Sequence, residues 1–331
     1  MQEHLIEASE YLKDKMSQVN LHFTVSKEHR LLFEAHNAQL LNQYNKLGVT
    51  DFKISFSEQK LSTDTLAVTL DNKPFLIEGE TLLFRPGGHG ALIENLQDIK
   101  HSLIFIGNID NVSPDRLKPL RIKYKELLGG VLIQRVNKIH YFLNELEKGI
   151  NSDIKREIIS FIKEFISSEI AGKLSVLREN EFIPRARLVL NKPVRVCGMV
   201  KNTGEPGGGP FWIKNSDGGI TKQIIESSQI DFKNQDQKQI FNSSTHFNPV
   251  DLVCFTQDFR GNKFKLQEFI NPGMAFIAIK SQGGVGLKAL ELPGLWNGAM
   301  AGWITFFVEV PGETFSPVKT VFDLLRTEHI N

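Results

Sequence analysis

The stretch 84–114, FRPGGHGALIENLQDIKHSLIFIGNIDNVSP, restricts the fold of this chain more than any other. Pro86-Gly87-Gly88-His89-Gly90 is a cluster of backbone breakers and predicts a tight turn. Ala91 to Leu96 predicts the start of a helix, with free backbone N–H groups at its N-terminus. Ser102 to Gly107 is a short apolar run bounded by charge and by Gly-Asn, the pattern of a buried parallel strand. Asn108, Asp110 and Asn111 then fall at the C-terminal end of that strand, where open α/β sheets bind ligands. A glycine-lined turn beside a strand-end carboxylate is what a nucleotide with a divalent metal needs. An ordinary helix–strand connection with a polar loop fits the same residues, and the stretch alone leaves both readings open.

At 331 residues the chain is long enough for two domains or one large α/β domain with a full core. Charged residues make up 23% and hydrophobic residues 41%, a normal globular balance. The formal net charge of +1 argues against nucleic acid as the main partner, because phosphate binding shows as a basic excess. No apolar run approaches the ~18 residues needed to span a bilayer. The opening MQEHLIEASEYLKDK is acidic and amphipathic, unlike a signal peptide. Cys197 and Cys254 both lie in apolar strand-like runs, so the expectation is two reduced core thiols in a cytoplasmic protein, without a disulfide framework or zinc site.

Apolar spacing at Leu5, Ala8, Leu12 and Met16 predicts a helix over 3–18. A strand follows at 21–25, then a helix from Lys27 to about Leu47 with Ser26 as N-cap, and a second strand at 51–57. Runs 65–70 and 81–84 flank the turn Asp71-Asn72-Lys73-Pro74 and read as a hairpin. This helix–strand rhythm is that of a parallel sheet with crossover helices. Residues 115–148 are periodic but interrupted by Gly129-Gly130, and a second helix is expected at 152–170. We expect 115–180 to be an insertion or covering layer, with Pro184 marking the return to the sheet. From Pro193 a strand at 194–200, a breaker loop at 201–210, strands at 211–214 and 223–230 about a turn at Asp217-Gly218-Gly219, and a short helix at 235–242 read as a meander. In that loop Gly207 and Gly208 either present N–H groups as an anion nest or are simply flexible. An apolar run at 250–255, an aromatic strand at 304–310 and a last helix to about Arg326 complete the chain.

Four separated segments resemble the UDP-sugar pyrophosphorylases, nucleotidyltransferases of the glycosyltransferase-A type fold. Pro86-Gly87-Gly88-His89-Gly90 resembles their Pro-Asp-Gly-Asn-Gly-Gly uracil and sugar loop, with Gly87 in place of Asp and His89 in place of Asn. Phe105 to Val112 is similar to the strand ending in Val-Asp-Asn, whose Asp binds metal; Asp110 matches that Asp. QIIESSQI at 223–230 resembles the Val-Val-Glu-Tyr-Ser-Glu strand, whose first Glu, here Glu226, contacts sugar hydroxyls. FVEVPGETFSPVK at 307–319 resembles the segment whose Lys, here Lys319, reaches a phosphate. Thr24-Val25-Ser26, Phe56 to Gln59 and Thr245-His246-Phe247 are weaker matches in the same order. The motifs keep that order across about 300 residues, which makes the set more specific than any one of them. More closely, the whole chain resembles a bacterial domain-of-unknown-function family, family 4301.

The resemblance implies an α/β fold with a mixed, mostly parallel sheet, crossover helices and a helical insertion, of the nucleotide-diphospho-sugar transferase type. It divides the chain into a nucleotide-binding part at 1–114, a helical block at 115–185 and a sugar-binding half at 186–331. It implies a nucleoside triphosphate and a sugar 1-phosphate as ligands, or nucleotide-sugar binding without turnover as the alternative. A magnesium ion would sit on Asp110, and Lys319 would neutralise a phosphate. Gln59, Gly87, Gly88, His89, Gly90, Asn108, Glu226, Gly207 and Gly208 are the expected binding residues; for His89 a solvated turn histidine is the other reading. Leu292 to Gly298 either lines the sugar pocket or caps the core. The family's Gly-Gly-x-Gly-Thr-Arg loop has no counterpart ahead of the first helix here. The expectation is therefore a sequence lacking the first strand-loop-helix units, the alternative being that the glycine loop at 204–209 takes over part of that role.

Overall fold

The structure, a computed structural model, describes residues 1–14, 17–47, 51–204, 207–214 and 219–330. The chain begins with α1 (Gln2–Tyr11), β1 (Gln18–Thr24), α2 (Arg30–Leu47) and β2 (Asp51–Ser57). β1 and β2 pair in parallel, from Gln18 opposite Asp51 to Thr24 opposite Ser57. Leu5 and Ala8 of α1 pack with Val19, Phe23, Leu40 and Phe52 in a small core of their own. α1 is shorter than its spacing predicts, and Met16 lies outside the described residues. Ser26 does not cap α2: its hydroxyl pairs with Nδ1 of His29 at 2.7 Å, and the helix starts at Arg30.

The segment expected to be one hairpin is five two-residue strands: β3 (Thr65–Leu66), β4 (Val68–Thr69), β5 (Leu76–Ile77), β6 (Thr81–Leu82) and β7 (Phe84–Arg85). The turn at 71–74 is there, but the chain turns again after Ile77, so β3 pairs with β7 and β5 with β6. After the glycine cluster come α3 (Ile93–Asp98) and β8 (Leu103–Gly107). Four helices follow: α4 (Lys118–Lys148), α5 (Ser152–Phe165), α6 (Ser168–Ser175) and α7 (Glu179–Leu190). Asn151 and Ser167 cap α5 and α6 with their side chains.

Two expectations fail in this block. α4 runs through Gly129-Gly130 without a break over 31 residues. Gly129 is there for space, since a Cβ would lie 2.9 Å from the Phe105 ring of β8. Pro184 lies inside α7 rather than at a return to the sheet. Buried Phe182, Ala186 and Leu190 hold that helix against the core despite the hydrogen bond the ring removes.

The remaining elements are β9 (Val194–Lys201), β10 (Gly209–Lys214), β11 (Ile220–Ile225), α8 (Gln235–Asn242), β12 (His246–Phe255), β13 (Phe276–Gln282), β14 (Val285–Glu291) and β15 (Ile304–Glu309). Asp217 and Gly218 of the expected turn lie outside the described residues. β13, β14 and β4 form a three-stranded sheet. In place of a last helix there is one 3₁₀ turn at Val321–Leu325.

The central sheet has the order β15-β9-β12-β8. β15 runs parallel to β9, whereas β12 runs against both β9 and β8. The fold is mixed α/β, but the expected mostly parallel sheet is wrong: the pairings are mainly antiparallel. The reason is how β12 is reached. It follows the β10–β11 hairpin and the short α8 instead of a full crossover, so it enters from the opposite end. For the same reason β8 is an antiparallel edge strand, not a parallel central one.

Side chains alternate across β9. Val194, Val196 and Val200 face α4–α7 in the larger core. Arg195, Cys197 and Met199 face the other side, where Cys197 and Met199 pack with α3 and with Leu295, Met300 and Trp303. Both cysteines are free and buried, as expected.

Candidate functional site

The glycine turn is built where two chain segments approach too closely for side chains. Gly88 adopts φ +79°, a conformation that favours glycine. A Cβ on Gly90 would run into the Pro293 carbonyl, and one on Gly87 would lie 2.6 Å from the Thr63 carbonyl. The backbone also joins these segments, as Leu292 N–H donates to the Gly87 carbonyl at 2.9 Å. The breakers at 86–90 therefore let the turn lie flat against 292–295.

His89 lies at the edge of this junction, its ring exposed to solvent but held by contacts from both sides. Its Nδ1 accepts from the Leu295 N–H at 3.1 Å, and its Nε2 lies 3.6 Å from Oε1 of Glu226. Glu226 follows β11 and opens the 3₁₀ turn Ser227–Gln229. Its backbone N–H donates to Oε1 of Gln229, and that oxygen also accepts from Nδ2 of Asn297 at 2.8 Å. Gly208 is buried against the same residue, since a Cβ there would lie 3.0 Å from Cγ of Glu226. Gly207, half-buried, precedes it. Gln59 donates to Oγ1 of Thr63 at 3.2 Å, the residue whose carbonyl backs Gly87.

Residues scattered from 59 to 226 thus meet around one junction: Gln59, Gly87, Gly88, His89, Gly90, Gly208 and Glu226. Among the described residues, Asn297 and Gln229 belong to it and were not singled out from the sequence. The signal for Asn297 was its place in the Pro-Gly turn within Leu292 to Gly298, a stretch expected to line the sugar pocket or cap the core. Beside it, the β1 and β2 ends carry a polar cluster. His22 bonds Ser55 and Ser57 at 2.8 Å each, and Asn95 of α3 donates to Ser57 at 2.8 Å.

Asp110 and Lys319 form a second group. Val318 N–H donates to the Asp110 carbonyl at 2.8 Å. Asn111, buried, donates to the Thr314 carbonyl and accepts from Ser316 N–H. The strand end after β8 is thereby laced to 314–318, which brings the exposed Lys319 next to Asp110. Asn108 is exposed, and its carbonyl accepts from Asn111 N–H. From α4, Arg121 steadies the loop by donating to the Asn111 carbonyl at 2.7 Å. His4 of α1 bonds the Ile109 carbonyl at 2.9 Å.

Among the described residues, the Asp110 carboxylate has no ion-pair or hydrogen-bond partner, and no group of three or more His, Cys, Asp or Glu could hold a metal. A free strand-end carboxylate fits magnesium, which takes one or two carboxylates and completes its shell with phosphate and water. No helix among the described residues is long and apolar enough to cross a membrane.

Comparison with curated proteins finds no match. Among solved structures, the chain is similar to UDP-glucose pyrophosphorylase from Leishmania major, whose open and closed structures are known. The identity is 15%, covering 97% of this chain and 57% of that one, with a TM-score of 0.44. It is also similar to UDP-glucose phosphorylase from Trypanosoma brucei, at 13% identity over 98% of this chain and 57% of that one, with a TM-score of 0.46. The chain spans less than two thirds of the length of either protein. Residues 1–330 match the family described as Domain of unknown function (DUF4301), and the chain belongs to that family.

Proposed function

We propose that this protein binds a nucleotide sugar, or a nucleoside triphosphate with a sugar 1-phosphate, as a nucleotidyltransferase of the UDP-sugar pyrophosphorylase type. The observation that carries the reading is the junction of the glycine turn with Glu226. Two motifs about 140 residues apart in sequence, read separately as a base loop and a sugar-hydroxyl acceptor, meet through His89 at 3.6 Å.

In this reading Gly87, Gly88 and Gly90 let a flat ligand approach the backbone, and Gln59 reads a base edge. Glu226 accepts from sugar hydroxyls, and buried Asn297 holds its turn in place through Gln229. Asp110 would hold a magnesium ion, which when bound spreads the charge of the transferring phosphoryl group. Lys319 would add a point charge beside it. The chain's task is alignment and charge neutralisation, so no side-chain nucleophile is required.

The test is a thermal-shift screen against UTP and UDP-sugars, with and without magnesium. A ligand that binds only the native state raises Tm. A magnesium-dependent rise with a uridine nucleotide is the expected result, and no shift with any nucleotide overturns the proposal. Binding of UDP-sugar without any pyrophosphate exchange favours the non-catalytic alternative.

A further inference from the structure

Arg195, on the face of β9 turned toward the junction, is completely buried at 0% exposure. Among the described residues no carboxylate pairs with it, and its neighbours across the strands are Cys254 and Thr305. Burial alone pushes the guanidinium pKa down. The adjacent thiols do not neutralise it, because burial holds both above their ordinary range, Cys197 up to about 11. An uncompensated buried cation is a poor way to stabilise a core; an apolar side chain of similar volume serves that purpose better. Its hydrogen bonds suggest what it is for.

Arg195 spans three segments. Nε donates to Oγ1 of Thr305 at 2.8 Å, Nη1 to the Trp296 carbonyl at 2.5 Å, and Nη2 reaches Oε1 of Gln223 at 3.5 Å. Gln223 is itself buried and donates to the Ala301 carbonyl at 2.7 Å. Trp296 sits between Leu295, whose N–H holds the His89 ring, and Asn297, whose amide holds Gln229 beside Glu226. Gln223, on β11, lies three residues ahead of Glu226. Both walls of the junction thus hang from one planar fork.

We infer that Arg195 is a positioning residue: through Trp296 and Gln223 it fixes the separation of His89 and Glu226, and with it the fit of the sugar part of a ligand. The sugar clause rests on the function proposed above; the positioning clause does not. A lysine keeps the charge but places its donors at one point, so it cannot bridge Trp296 and Gln223 together.

Two variants and two readouts test this. Arg195→Lys and Arg195→Met are compared by hydrogen exchange at the Leu295 and Asn297 amides, without ligand. Both should exchange at least about tenfold faster, while amides of α4 keep wild-type protection. Unchanged exchange at 295 and 297 in a folded variant overturns the inference, whatever the ligand proves to be. The second readout is affinity for UDP-glucose against UDP. Arg195→Lys should weaken UDP-glucose by at least about tenfold and leave UDP within about twofold. Equal loss of both, or full rescue by lysine, overturns the positioning of the sugar wall. If the wild type binds neither nucleotide, the proposed function fails and the exchange data alone decide the role of Arg195. If Arg195→Met does not fold, Arg195→Lys decides both readouts.

Discussion

Arg121 on α4 and Glu7 on α1 form an ion pair almost sealed from water, Nε to Oε2 at 3.2 Å with 1% and 5% of the side chains exposed. Lys125, one turn along α4, pairs with the same carboxylate and lies 3.3 Å from Oδ1 of Asp251 on β12. Burial opposes the charge on Lys125, yet Asp251, Tyr11 and Glu7 hold its pKa well above the ordinary lysine range. Two cations and two carboxylates balance, and α1 supplies half of the negative charge.

Glu7→Gln leaves two buried cations with one carboxylate. Breaking a buried pair from one side costs about 3–5 kcal/mol, so the urea midpoint should fall steeply. A change under about 1 kcal/mol would mean that water reaches the cluster.

The paired glycines of α4 separate helix propensity from space. Gly130 has nothing within 4 Å of a would-be Cβ, so Gly130→Ala should stabilise by about 0.5–1 kcal/mol. Gly129→Ala gains the same propensity but pushes into the Phe105 ring at 2.9 Å, and should instead lose about 1 kcal/mol or more. Equal Tm shifts for the two would contradict the packing of β8 on α4.

Asp110→Asn should abolish magnesium-dependent nucleotide binding while leaving Tm unchanged, because the carboxylate supports nothing else among the described residues. Calorimetry with unaltered affinity would remove Asp110 from the site. Lys319→Ala should weaken phosphate-bearing ligands and spare free nucleosides. Loss of both alike would contradict its role.

Burial lowers the pKa of His4, His22 and His140 from the ordinary histidine value. The unfolded chain then binds more protons than the native one below about pH 6.5. Stability should be flat above that pH and decline as pH falls through it. The check is the urea midpoint at about pH 7.5 and about pH 5.5, with His140→Gln as control. An identical decline in that variant would clear His140 of a part in it.

What was legible in the sequence is what the chain decides locally. Breakers at 86–90 act within a few residues, so the turn and the following α3 were readable before any partner was known. Helices α4 and α5 were readable from spacing, although the role of Gly129 depends on Phe105 of another element; α7 was not, because Pro184 reads as a breaker until the core around it is in place. The direction of β12 is a long-range choice that no run of residues encodes. Arg195 hides for the opposite reason: a charge inside Val-Arg-Val-Cys looks like a surface position until both neighbouring strands are in place. The pair β13–β14 did leave a signal, with Ile277 and Ile279 alternating before Gly283-Gly284, both at positive φ.

The reversed β12 also sets the order of events in folding. β8, at 103–107, has β12 at 246–255 as its partner, and β9 lies between β12 and β15. As the chain leaves the ribosome, α4–α7 emerge before any of the strands β9, β12 and β15 that they cover. They meet β9 at once, but must wait some sixty more residues for β12 and over a hundred for β15, covered meanwhile by one another, α1, β8 and β9. Such non-local closure is slow and leaves apolar surface exposed meanwhile. A chain stalled near residue 240 should therefore present a sticky helical bundle, and synthesis of β12 is the step that buries it.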